Sequence, residues 1–242
     1  MRLYLALLGC LLCTSAFGKA DQVWNLEADV DGDGKADRIT VKATDEYGAY
    51  VLTVGGASVT GRIDESVDEV KIIDIDRNDR HREVSVFSHG PSDDPQHHIY
   101  WYDGRKIYTV GKLAGVDFTG HGWVYEHWWA GFWTGTDKHV LDRKTHRLKK
   151  LPQEFYHVGV KAKVRSSFPI YCTRSAKTAL ANPRAGSTVE VVLCAQVKRT
   201  GKLGPEDEHY DRWYLVKSES GLSGWTKEEL LYKHLEGLPL AD

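Results

Sequence analysis

Residues 29–37 read DVDGDGKAD. Carboxylates stand at positions 1, 3, 5 and 9 of this stretch, as Asp29, Asp31, Asp33 and Asp37, and Gly34 at position 6 permits a sharp turn. Lys35 at position 7 offers a backbone carbonyl. Such a crowd of hard oxygens suits calcium, which takes about six to eight oxygen ligands. Magnesium prefers to keep its waters, and a transition metal would want His or Cys, which the loop lacks. The expected cofactor is therefore Ca2+, fastening a turn rather than performing chemistry. The other reading is an acidic turn without metal.

A helix–loop–helix calcium site would need Glu at position 12, where this chain has Thr40, and the following RITVKA is strand-like. An aspartate at position 9 that leads straight into a strand resembles the calcium hairpin of FG-GAP and VCBS-like repeats, the units of integrin-type β-propellers. The match covers residues 29 to about 43. A weaker copy occurs at DIDRNDRHREVSV, where Asp74, Asp76 and Asn78 take positions 1, 3 and 5. There Asp79 replaces the glycine, Arg82 takes position 9 and Glu83 comes one place late, so Asp74, Asp76, Asn78 and Glu83 form a second possible metal loop. Its nearby arginines could pair with the aspartates instead. Two copies imply an internal repeat of about 45 residues. The resemblance implies a truncated set of propeller-like units, or a small sandwich, within residues 19–152.

Other reactive residues are less organised. Cys172 and Cys194 remain once a leader is removed, and a lone pair in an exported protein most often forms a disulfide. It would close a loop of about 22 residues, stabilising by roughly 3 kcal/mol. The rival is a nucleophilic thiol. In HGWVYEHWWAGFW, strand alternation puts Trp123, Tyr125, His127, Trp129 and Trp133 on one face, either as core or as a platform that stacks sugars. His121 and His127 share that side, but no carboxylate spacing completes a zinc triad. Metalloprotease, serine-hydrolase and phosphate-loop motifs are absent.

The elements that must position these residues read as strands. DRITVKA (37–43), AYVLTVGG (49–56), VDEVKIIDID (67–76) and REVSVFS (82–88) are alternating or apolar, and turn residues separate them. HIYWYDGRKIYTVG (98–111) predicts a hairpin with a two-residue turn at Asp103-Gly104. Residues 122–135 and 138–151 predict a further strand and hairpin. One short helix is expected near residues 226–237, capped by Thr226 and stopped by Gly237. With eight Trp, twelve Tyr and one Met, the core is aromatic and β-branched, and the expected class is all-β.

Pro152 and a shift in charge place a domain boundary at 152–158. Residues 19–156 carry 18 Lys/Arg against 24 Asp/Glu, and residues 157–242 carry 13 against 10. The second half is too mildly basic for a nucleic-acid binder. Residues 157–235 resemble a bacterial SH3-like domain, a small barrel, through Gly186 before STVEVV, WYLVKS, and the GLSGW turn with Trp213, Gly221, Gly224 and Trp225. The resemblance implies a groove lined by Trp213, Tyr214 and Trp225, with peptidoglycan or an envelope protein as partner. The bland reading of those rings is packing.

MRLYLALLGCLLCTSAFG has an early Arg2, an apolar run and small residues, the pattern of a signal peptide over residues 1–18. A lipid anchor at Cys10 is the lesser alternative. The run is about half the ~20 residues that cross a bilayer, and no other segment is long and apolar enough. The expectation is a secreted or periplasmic, non-catalytic, calcium-stabilised binding protein. Its alternative is a small envelope hydrolase acting on peptidoglycan or glycan and targeted by the SH3-like module.

Overall fold

A computed structural model describes residues 22–91, 94–198 and 210–240. The expected leader (1–18), Cys10 and most of the polar loop after Val197 lie outside the described residues. No helix among the described residues is long and apolar enough to cross a membrane.

The chain is all-β. Three successive four-stranded meanders come first. The first holds β1 (Val23–Ala28), β2 (Asp37–Ala43), β3 (Ala49–Val54) and β4 (Ala57–Arg62). The second holds β5 (Glu69–Ile73), β6 (Glu83–Ser88), β7 (Gln96–Tyr102) and β8 (Ile107–Leu113). The third holds β9 (Gly115–Phe118), β10 (Trp123–Trp129), β11 (Thr134–Asp142) and β12 (Arg147–Lys150). Their first strands begin at Val23, Glu69 and Gly115, at equal spacings of 46 residues. A third meander thus follows the two that carry the aspartate loops, and its β9–β10 turn, TGHG, contains no aspartate.

Contacts divide the chain into two compact units. The first runs to Ile73 and takes in Arg80–Thr109; the second holds Asp74–Asp79 and the chain from Val110 onward. The first unit's core comes from alternation: Ile39 and Val41 of β2, and Tyr50, Leu52 and Val54 of β3, are buried with Val84, Val86, Tyr100 and Tyr102 of the second meander. Inside it the Tyr50 hydroxyl bonds the Tyr100 hydroxyl (2.7 Å) and His98 Nδ1 (2.8 Å), so this buried polar group is satisfied.

The second unit contains a five-stranded sheet in the order β16-β15-β14-β13-β17. Its strands are β13 (Phe155–Val164), β14 (Thr188–Lys198), β15 (Tyr210–Ser218), β16 (Ser223–Lys227) and β17 (Leu235–Glu236). Helix α1 (Glu228–His234) joins β16 to β17, which occupy opposite edges. Seven helical residues reach about 10 Å, whereas the edges of a flat five-stranded sheet lie about 19 Å apart. The sheet must therefore curl, and it forms a half-barrel, called the barrel below. Tyr171 extends the β16 edge by pairing with Trp225.

Several expectations change here. The junction at 152–158 lies within the second unit, because Phe132 and Trp133 from the β10–β11 turn are buried in the barrel core with Tyr156 and Tyr214. The helix begins at Glu228 and ends before Leu235, not at Gly237. Thr226 is no cap: its hydroxyl is buried and donates to the Pro169 carbonyl at 3.2 Å. The β7–β8 turn spans four residues, since Asp103 Oδ1 accepts the amides of Arg105 (2.8 Å) and Lys106 (2.7 Å).

Candidate functional site

The aspartate loop joins β1 to β2. Val30, fully buried in the core, anchors it, and Asp37 Oδ2 closes it by accepting the Val30 amide at 3.1 Å. Asp29 accepts the amides of Gly32 (2.8 Å) and Gly34 (3.0 Å), while Asp31 accepts that of Asp33 (3.0 Å). Gly34, at φ +88°, makes the turn expected of it. One carboxylate oxygen each from Asp29, Asp31 and Asp37 lies within 4.8 Å of the others. Asp33 is outside this trio; its carboxylate accepts the Lys35 amide at 2.7 Å and is half exposed. The Lys35 side chain is open to solvent.

Two further segments of the first unit back this loop. The Arg82 amide donates to the Val30 carbonyl at 3.2 Å. Gly104, at φ +85° in the β7–β8 turn, approaches Asp31 so closely that a Cβ there would stand 2.9 Å from Asp31 Oδ2. Neighbouring Tyr102 has its phenol pKa raised by burial, and further by the charges of Asp37, Asp31 and Asp103. The donors fit a hard cation: all are carboxylates, each with a second oxygen, on a loop whose backbone carbonyls can complete the shell.

The second loop does not fit one. Asp76 is wholly buried on its side chain and takes the Arg143 guanidinium, with Nε at 2.9 Å and Nη2 closer still. Its other oxygen accepts the Asn78 amide (3.2 Å) and side-chain amide (3.0 Å). Burial works against ionisation of Asp76, but Arg143 and Asn78 outweigh it and hold the carboxyl below its ordinary range. The carboxylates of Asp74, Asp76 and Glu83 therefore do not converge, and Asn78 is turned to Asp76; among the His, Cys, Asp and Glu of the described residues only Asp29, Asp31 and Asp37 converge. The arginine that takes Asp76 comes from the β11–β12 turn and is not one of the nearby arginines considered from the sequence. The loop docks on the third meander instead, with Arg77 N bonded to the Gly120 carbonyl (3.1 Å) and Gly122 N to that of Ile75 (2.7 Å).

Both cysteines are free, which corrects the expected Cys172–Cys194 disulfide. In the barrel, Tyr156, Cys194, Tyr214 and Thr226 stand side by side on the inward face, all buried. Cys172 sits on an exposed turn beyond Tyr171. Burial pushes the Cys194 thiol up to about 12, although its contact with the Tyr214 hydroxyl works the other way, so it is no nucleophile.

Tyr214 also corrects the expected groove. Its ring is core, and its hydroxyl accepts from Trp133 Nε1 (3.1 Å) and donates to Glu228 (3.2 Å), which pairs with Arg212 at 3.1 Å. Trp213 and Trp225 face outward. A groove of about 700 Å³ runs along Trp213, Glu154, Thr173, Arg174, Ser175, Gln196 and Val197. Arg174 lies over the Trp225 ring at 5.4 Å and 3.5 Å from Glu154, and Phe155 flanks Trp225 at 6.1 Å between centroids. Glu154 and Phe155 had no signal in the sequence beyond their place at a predicted boundary, and Arg174 had none.

Hydroxyl–imidazole pairs occur, but not in clefts. Ser85 meets His97 at 3.0 Å, yet Ser85 is buried, and His97 is pushed down to about 4 by burial and then by Lys71. Thr136, His127 and Asp117 form a chain on an open sheet face. Among the described residues, the two grooves lined by Trp213, the one lined by Lys161 and Glu190, and the one lined by Ala181 and Ser220 have no histidine in their lining.

Comparison of the chain with protein-family models, with curated proteins and with solved structures finds no match.

Proposed function

We propose that this chain is an exported, non-catalytic binding protein, built on FG-GAP-like repeats and an SH3-like barrel. Calcium stabilises its first unit and the barrel contacts the cell envelope. The groove beside Trp213 carries this reading. It offers a ring face, a cation at Arg174 and an anion at Glu154 within one open channel. A peptide that bears both amine and carboxylate groups, such as the stem peptide of peptidoglycan, matches that charge pattern. Asp29, Asp31 and Asp37 would hold calcium; its contribution is to order the β1–β2 turn, since metal binding to the native loop adds directly to folding stability.

The test is co-sedimentation of the mature protein with purified peptidoglycan sacculi, in calcium and in EDTA, with Trp213→Ala alongside. Calcium-independent binding that Trp213→Ala removes supports the groove. Binding lost only in EDTA moves the contact surface to the aspartate loop. Absence of binding in both sends the function to a protein partner.

A further inference from the structure

The aromatic run of β10 is split by the fold. Trp128 turns inward against Tyr156, and Phe132 and Trp133 enter the barrel core. Trp123, Tyr125, His127 and Trp129 lie on the opposite face of the strand, all at least partly exposed, and Trp129 is 51% exposed. Alternate residues along a strand are about 6.8 Å apart, so these four rings span about 20 Å.

We propose that this face of the third meander binds a neutral, unbranched pyranose chain. The polar groups between the rings support it. Thr134, Thr136 and Lys138 stand opposite Trp129, His127 and Tyr125 in the ladder, and Asp117 stands opposite Tyr125 on the other side. His127 Nε2 bonds Asp117 at 2.9 Å and Nδ1 bonds Thr136 at 3.0 Å. With both nitrogens occupied, the imidazole is held still, and what it offers a ligand is its ring face. Lys138 is stored over Trp123, 4.3 Å from the ring centre. The charged groups on these rows, Asp117 with Lys138 and Lys149, the last paired to Asp142, largely offset one another, which disfavours a charged polymer. A protein partner would want a contiguous apolar centre; here hydroxyl, amine and imidazole interrupt the rings at each step. A sugar chain has the matching alternation, with apolar C–H faces to stack on rings and hydroxyls at its edges. This inference does not rest on the barrel groove.

The probe is the hexamer of β-1,4-linked N-acetylglucosamine, which carries no peptide, titrated against the full mature chain by tryptophan emission and calorimetry. Saturable binding is expected, at least tenfold tighter than for the dimer, which spans too few rings. Trp129→Ala should weaken it at least tenfold, and Tyr125→Leu, which keeps an apolar contact but no ring, should weaken it similarly. Trp213→Ala should leave it unchanged, which separates this face from the groove. Melting curves of the variants check that folding is intact. Absence of saturable binding, or binding by both β10 variants as tight as that of the native chain, overturns the inference. So does concentration-dependent dimerisation that Trp129→Ala abolishes in sedimentation velocity, which would make the face a protein contact.

Discussion

Asp76, with no solvent exposure on its side chain, is ion-paired to Arg143 across 67 residues of sequence, with Nε at 2.9 Å. The pair ties the β5–β6 loop to the β11–β12 turn inside one compact unit. It also uses an aspartate that the sequence pattern offered to a metal.

Arg143→Ala leaves that carboxylate buried and unpaired. A buried pair broken on one side costs about 3–5 kcal/mol; Arg143 is two-thirds exposed, so a loss near the lower end is expected. The pH dependence has a definite sign. A depressed Asp76 pKa stabilises the protein above the ordinary aspartate value of about 4, and that contribution vanishes as pH falls through the folded-state value. Urea denaturation should therefore show a large gap between the native protein and the variant at neutral pH, narrowing toward pH 3. A gap independent of pH would show that the effect is packing alone.

Calcium should raise the melting temperature by several degrees, since a ligand at about 100 times its Kd adds about 2.7 kcal/mol. Asp31→Asn should abolish the shift. Asp33→Asn should retain most of it, because Asp33 stands outside the trio. Gly104→Ala should reduce it, as the new methyl meets Asp31 in a backbone conformation that alanine resists. A melting temperature indifferent to both calcium and EDTA would remove calcium from the account.

Thiol chemistry discriminates sharply between the two cysteines. Cys172 should react with Ellman's reagent in the native protein, and Cys194 only after unfolding, because it is buried and its thiol is pushed up to about 12. Reductant should not move the melting temperature. A bridged Cys172–Cys194 peptide in non-reducing mass spectrometry would contradict this.

Trp133→Ala should destabilise by about 3–5 kcal/mol, as expected when a large aromatic leaves a packed core. Trp133→Phe should cost less, losing chiefly the hydrogen bond to Tyr214. A fragment starting at residue 153 should fail to fold cooperatively, because it lacks the Phe132 and Trp133 rings. A sharp, native-like melting transition for that fragment would restore the boundary that Pro152 suggested.

The sequence alone determined what depends on neighbours a few residues away. Alternation marked β2, β3, β6 and β7 close to their observed ends, the aspartate spacing marked the β1–β2 loop, and DG marked the β7–β8 turn. Strands β1, β4 and β9 escaped notice, since half-exposed or very short strands alternate weakly. Only the tertiary structure decided what depends on distant partners. Sixty-seven residues separate Asp76 from Arg143, and only the path of the chain brings the two together. The same path carries Phe132 and Trp133 into the barrel while Trp129, a few residues earlier, stays in solvent. Period-two alternation states which side chains share a face of a strand, but not whether that face meets core or water, because that depends on which sheet comes to cover it.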